Sequence, residues 1–297
     1  MRGTVIVDTH VHIASPDQAR YPRIVAPHAV NWLRDMPVTA EQLLQHMRWA
    51  GIERAVLMQA FGAYAFDNAY AADSAAAFPD RFIAVCVVDV ERPAALDRLT
   101  YWVKERGVKG IRLFTSTEPE GKWLDDPRTF PVWELAERLG IRVGVQALYH
   151  HMPRLKRALE RFPHVLVALD HMGAPPLSSG PPYDSAKDVF DLARFPGLHL
   201  KFSTVNLYAA RQGKSTPREF FSRIVERFGP ERLAWGSNFP NTYDRGLEEQ
   251  LDLAREALSF LTTREQALVF GENALRLWPA LRGGQPVSQG TPSGGKR

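Results

Sequence analysis

The chain has 297 residues, 45% of them hydrophobic and 24% charged, with 37 Lys and Arg against 33 Asp and Glu for a net charge of +4. Its 16 Phe, 7 Trp and 8 Tyr exclude wholesale disorder, and a single cysteine, Cys86, excludes a disulfide scaffold. No Lys/Arg block exceeds two residues, and no apolar run reaches the roughly 18 residues of a membrane span, so no nucleic-acid or membrane partner is expected. The N-terminal MRGTVIVDTHVHI lacks the apolar core and cleavage site of a signal peptide, so the expected location is cytoplasmic.

Short apolar runs recur along the chain: Val5–Val7, Ala55–Met58, Ile83–Val88, Gly110–Phe114, Ile141–Val145, Val165–Leu169, Leu198–Phe202 and Leu233–Trp235. None alternates cleanly with polar residues, which is how strands buried on both faces of a parallel sheet read. Cys86 falls inside one of them and reads as a small buried hydrophobe. Between the runs lie segments with helical spacing. Thr39 is placed to cap a helix through EQLLQHMRWA that Gly51 ends, and Thr216 with Glu219 forms a capping box with Pro217 at the first helical position. Further helices are expected at Asn68–Phe78, Ala94–Arg106, Pro131–Leu139, Met152–Arg161, Ser185–Ala193, Pro217–Phe228, Leu247–Leu261 and Arg264–Leu277.

Strand and helix alternate eight times, which predicts an α/β protein built as a single (β/α)8 TIM-type barrel over residues 1–282. An open doubly wound sheet is the alternative, but it ordinarily places a Gly-rich loop after the first strand, and here that place is taken by DTHVHIA. Ala14–Val38 reads as a loop over the barrel mouth, and GAPPLSSGPP at Gly173–Pro182 fits neither helix nor strand. The Gly- and Ser-rich segment 283–297 reads as a disordered tail.

Active groups of such barrels sit at the carboxyl ends of the strands. Those ends read His10 and His12, Gln59, Asp89, Arg112, Gln146 followed by Tyr149, His150 and His151, then His171, Ser203 and Asn238. His10 and His12 stand at i and i+2, so on an extended segment both side chains face one way, roughly 6.5–7 Å apart at Cα. They can serve one ion or one substrate oxygen, or merely hydrogen-bond near a chain start. His171 follows Asp170, and alternation sends His171 to the mouth and Asp170 to backbone behind it. His150 and His151 read as a helix entry, with entry of one of them into the site as the alternative, and His28, His46, His164 and His199 as structural. Arg112 at a strand end suits a substrate carboxylate, with an ion pair to a neighbouring strand as the plainer alternative. Lys201 points inward with Ser203 by alternation, and Gln59, Tyr64, Asn68, Tyr149 and Arg211 are candidate hydrogen-bonding groups for a small, anionic or polyhydroxylated substrate.

The segments VDTHVHI, MQAFGAYAFDNAY, GIRLF, VALDHMGAPP, LKFST, LAWGSNFP and NALRLW, in this order, resemble the amidohydrolase superfamily. More narrowly they resemble its amidohydrolase-related branch (amidohydrolase 2), which includes 2-pyrone-4,6-dicarboxylate lactonase and sugar and muconolactone hydrolases. The resemblance implies a hydrolase that opens a lactone by water attack on a carbonyl, with His10, His12, His171 and position 238 catalytic. Two residues depart from the pattern. Asn238 stands in GSNFP where the superfamily usually has an Asp that acts as base and metal ligand, and Gln146 stands where many metal-dependent members carry a His or a modified Lys. A zinc or other divalent ion would then rest on His10, His12 and His171, while the lactonases of this branch resemble metal-free enzymes whose histidines bind the substrate carbonyl. Without a metal the proton of water must go to a histidine or a loop carboxylate, for which Asp244 is a candidate. The alternatives are a metal-dependent decarboxylase or hydratase of small aromatic acids, and a non-catalytic small-molecule binder.

Overall fold

The structure, a computed structural model, describes residues 5–24, 31–115 and 119–283. The expected tail therefore lies outside the described residues apart from Gly283, and so does His28. Each apolar run becomes a strand: β1 (Val7–Val11), β2 (Arg54–Met58), β3 (Phe82–Val85), β4 (Gly110–Phe114), β5 (Arg142–Gln146), β6 (Val167–Leu169), β7 (Leu198–Phe202) and β8 (Leu233–Trp235). Pairing is parallel throughout, as β1-β2-β3 and β4-β5-β6-β7-β8. Backbone hydrogen bonds join these two sheets at both edges. At one edge Cys86 N donates to Gly110 O at 3.0 Å and Arg112 N to Cys86 O at 2.7 Å. At the other, Asn238 N donates to His10 O and His12 N to Phe239 O, both at 2.8 Å. The fold is thus the expected α/β TIM-type barrel.

Two layers of apolar side chains hold it. Between strands and helices packs the larger core, which includes Leu57, Ile111, Val145, Leu169, Phe202 and Trp235. Inside the barrel a smaller cluster of Val7, Val56, Met58, Ile83, Val85 and Ala168 meets Leu277, Trp278 and Leu281 near the chain end. That lower plug leaves the carboxyl ends of the strands to polar groups. Cys86 is fully buried, and burial pushes its thiol up to about 12, so it is an inert core residue.

Local signals place the helices. Thr39 Oγ1 accepts from Gln42 N and Gln42 returns the bond, starting the helix Ala40–Trp49. Thr216 caps Pro217–Phe228 in the expected place. Arg264–Leu277, expected as one helix, is instead two α-helical pieces around a π turn, Leu268–Glu272. Gly271 in that turn lies directly against the carbonyl of Val5, where a side chain has no room. Three short helices, Trp32–Asp35, Phe61–Tyr64 and Thr204–Ala209, escape the sequence reading because one turn and a half shows no period.

β1 begins later than expected and continues through Asp8, Thr9 and His10, all fully buried. Polar residues are tolerated there because each finds a partner across the β1–β8 seam. Thr9 Oγ1 donates to Trp235 O at 2.7 Å, and Asp8 Oδ1 accepts Ser237 N at 2.9 Å and His10 N at 3.0 Å. The seam is tight at Gly236, where an added Cβ falls 2.7 Å from His10 Cβ and 2.9 Å from His10 N. Gly236→Ala should therefore cost about 1–3 kcal/mol by overpacking. Denaturant unfolding measures this, and an unchanged midpoint would show that the seam yields freely.

Candidate active site

β6 ends at Leu169, and the chain leaves the strand at once: His171 (φ 51°) and Met172 (φ 50°) are left-handed. This turn is held by Asn206, whose Nδ2 donates to His171 O at 2.6 Å. Strand alternation therefore stops applying at Asp170, and the expectation that Asp170 turns away to backbone is overturned. Its fully buried carboxylate faces the barrel interior. Oδ2 accepts Arg112 Nε of β4 at 2.7 Å, and Oδ1 forms an ion pair with Lys201 Nζ of β7 at 2.8 Å. Burial works against its charge, but Lys201, then Arg112, outweigh it and hold the carboxyl well below the usual range.

Three imidazoles lie on this charged platform. The His10 ring centroid is 5.0 Å from that of His12 and 4.7 Å from that of His171. Lys201 Nζ is 3.0 Å from His10 Nδ1. His12 Nδ1 donates to Met58 O, the last residue of β2, at 2.9 Å, and Trp32 stacks beside its ring at 6.2 Å and 19°. His171 Nδ1 lies 2.7 Å from Ser203 Oγ. All three are neutral at pH 7. Burial is the main cause in each case, taking His10 well below its ordinary value, His12 (with help from Arg112) to about 3, and His171 to about 4. His12 carries its proton on Nδ1, because a carbonyl only accepts, so Nε2 bears a free lone pair. His10 Nε2 is buried without a hydrogen-bond partner among the described residues.

Arg112 is 4% exposed, with Nε on Asp170 and its guanidinium carbon 4.8 Å from the Phe114 ring centre. Both readings of Arg112 meet here: the interstrand ion pair exists, and the terminal nitrogens make no hydrogen bond among the described residues. Asn238 is buried and left-handed (φ 65°) beside His10, with Nδ2 3.5 Å from Thr242 Oγ1. Tyr149 is half-buried on the short helix after β5, against His150.

Other expected site residues have partners of their own. Lys201 is 2% exposed beneath the histidines, enclosed by Asp170, His10 and the Met58 sulfur, so it cannot reach substrate. Asn68 is used up on backbone, donating to Phe66 O and Val87 O and accepting from Val87 N. Gln59 Nε2 holds the loop above it through Ala65 O and Asp67 O, and Tyr64 OH accepts from Ser15 N. Arg211 is exposed and pairs with Glu256 at 3.3 Å, away from the histidines. Asp244, the candidate loop base, is also exposed and accepts from Tyr208 OH at 2.8 Å. Gln146 Oε1 is held by Thr115. A cavity of about 720 Å³ between Phe66, Val88, Arg98 and Trp102 contains none of the three histidines.

Sequence reasoning missed Asp8, although it stands two residues before His10 on the same alternating face. It carries no solvent contact, and burial raises its carboxyl to about 6. With the native value above the unfolded one, the folded protein keeps a proton that the unfolded chain has released between pH 4 and 6. Stability from this group is thus lost as pH rises through that window, by about 3 kcal/mol. Asp8→Asn keeps an acceptor oxygen and removes the titration. Its melting temperature relative to wild type should be higher at pH 7.5 than at pH 4, and a pH-independent difference would refute the assignment.

Comparison with known proteins follows the same lines. The amidohydrolase family profile matches residues 7–280. L-fucono-1,5-lactonase of Burkholderia ambifaria is 26% identical over 194 residues, covering 64% of this chain and 66% of that one. D-galactarolactone isomerase of Agrobacterium fabrum is 26% identical over 283 residues, covering 91% and 90%. Among solved structures, a probable 2-pyrone-4,6-dicarboxylic acid hydrolase from Acinetobacter baumannii with bound citric acid superposes with a TM-score of 0.74 at 20% identity, covering 92% and 98%. An amidohydrolase from Burkholderia multivorans with bound zinc superposes at 0.75 and 19%, covering 93% and 99%. Among the described residues no helix is long and apolar enough to cross a membrane.

Proposed function

This chain belongs to the amidohydrolase family, and on that premise we propose that it hydrolyses the lactone ring of a small, anionic substrate. One observation carries the reading. Three neutral imidazoles stand together above a platform that holds two cations against a single carboxylate. Such a site offers lone pairs and N–H donors, and the carboxylates nearest it are already engaged, Asp170 by two cations and Asp8 by two backbone amides. The uncommitted terminal nitrogens of Arg112 suit a substrate carboxylate. The ring carbonyl then lies over the histidines, where N–H donors stabilise the oxyanion that forms as water attacks. His12 presents the lone pair that takes the proton from that water, since its other nitrogen is fixed on Met58 O, and returns it to the ring oxygen as the acyl C–O bond breaks and the hydroxy acid is released. The lactonase and the isomerase among the relatives are consistent with this substrate class.

Family resemblance also implies a divalent metal, and the residues here do not fit one. Among the described residues, no three of His, Cys, Asp and Glu are grouped to hold an ion. The one carboxylate at the histidines, Asp170, is engaged by two cations, and position 238 offers a neutral amide. A histidine ligand normally gives its second nitrogen to a carboxylate or carbonyl, but His10 Nδ1 faces an ammonium. No step is therefore routed through a metal. The same facts, with Gln146 held on Thr115, count against a metal-dependent decarboxylase or hydratase.

Enzyme dialysed against chelator and assayed on a panel of aldonolactones and pyrone carboxylates should open at least one to its hydroxy acid, at a rate within twofold of the undialysed protein. No lactone turnover would sink the function. A loss restored by zinc would sink the metal-free site, and an isomeric lactone as product would replace hydrolysis by isomerisation. Because His12 and His171 are neutral well below their ordinary range, kcat/KM should be flat from pH 6 to 8 and fall only as the pH drops towards about 4. An inflection near 6.5 that persists in Asp8→Asn would show an ordinary histidine base. His12→Asn should lower kcat by roughly 10²–10⁴-fold with the fold intact.

A further inference from the structure

We propose that Lys201 is a positioning residue that fixes the tautomer of His10, holding its proton on Nε2. An ammonium has three donors and no acceptor. With Nζ 3.0 Å away, His10 Nδ1 must present its lone pair, and the ring proton moves to Nε2. The competing partner is Asp170 Oδ1, at 3.5 Å from Nδ1. That is long for a hydrogen bond, and the same oxygen stands 2.8 Å from Lys201 Nζ. Burial lowers the Lys201 ammonium from its ordinary value, Asp170 at 2.8 Å works against that, Arg112 adds to it and Asp8 opposes it; His12 and His171 are the other titratable groups beside the pair.

The neighbouring ring is set the opposite way. His12 donates from Nδ1 to Met58 O and so offers Nε2 as a lone pair. Two imidazoles with centroids 5.0 Å apart therefore present one N–H and one acceptor to the same space. That is the pair a lactone needs: a donor for the carbonyl oxygen and an acceptor for the proton of water. The unpartnered, buried His10 Nε2 fits a donor that awaits an oxygen atom not supplied by the protein. Lys201 itself is enclosed by His10, Asp170 and Met58, so it acts only through His10. Only the identity of that oxygen rests on the lactonase reading; the tautomer does not.

The full-length protein with ¹⁵N-labelled histidine gives a direct test. Long-range ¹H–¹⁵N spectra distinguish protonated from unprotonated ring nitrogens, and the His10 and His12 signals are assigned by their loss in His10→Gln and His12→Asn. His10 should show an unprotonated Nδ1 and a protonated Nε2, and His12 the reverse. A protonated His10 Nδ1 in the wild type overturns the proposal. In Lys201→Met the His10 proton should move to Nδ1, towards Asp170, and kcat should fall about 100-fold with KM within about threefold. An unchanged tautomer or an unchanged kcat in a folded Lys201→Met also overturns it. Should that variant fail to fold, Lys201→Arg, which still only donates, should keep the wild-type tautomer, and a flipped ring there counts against the proposal. The spectra need no substrate, so failure of the tautomer leaves the lactonase reading standing. Absence of lactone turnover with the expected tautomer removes only that reading.

Discussion

One carboxylate without access to water organises the centre of this barrel. Asp170 lies between Arg112 and Lys201, each almost fully buried, and the three groups come from the ends or interiors of β6, β4 and β7. Removing one partner of such a buried pair typically costs 3–5 kcal/mol, because an uncompensated charge stays behind. The arrangement is therefore mutually enforced: Arg112 and Lys201 can be buried only because Asp170 is ionised, and Asp170 is ionised only because they are there. Lys201 and Arg112 also act, after burial, to keep the histidines beside them neutral.

The second constraint is the seam where β1 meets the chain after β8. Asp8 spans it by accepting two backbone amides, and Gly236 lets the two backbones approach beside His10. Both devices serve the same end. His10 and Asn238 are locked to one another through Asn238 N and His10 O, so the first and last strands place their polar groups as one unit. Trp32, at the start of the short helix Trp32–Asp35, stacks beside His12.

Much of the architecture is legible in the residues. Valine, isoleucine and leucine runs mark seven of the eight strands, whereas β1 overlaps its run only at Val7 and carries buried Asp8, Thr9 and His10 on partners across the seam. Thr39, Thr216 and Gly51 mark helix ends, since capping is a local matter of one side chain and a few amides. His10, His12, His171 and Arg112 are readable as candidate site residues from their places at strand ends. Lys201 is readable as inward-facing, but not its role. Helices of four to six residues at the mouth leave no period to detect, and the π turn at Leu268–Glu272 follows from the nearness of Val5, which no local pattern records.

Sequence by itself thus determined the barrel and the polar groups at its strand ends, while the departure at Asn238 came from the resemblance. Only the tertiary structure decided what those groups do to one another. Asp170 and His171 both join the site because the chain turns left-handed immediately after β6, so a periodicity valid for a strand ceases one residue too early to predict them. Asn68 and Arg211, plausible binders by composition, are committed to backbone and to Glu256. Protonation states and tautomers belong wholly to this level. They depend on burial and on which donor faces which ring nitrogen across separations of many residues, as Lys201 faces His10, and such distances are set by packing rather than by spacing along the chain.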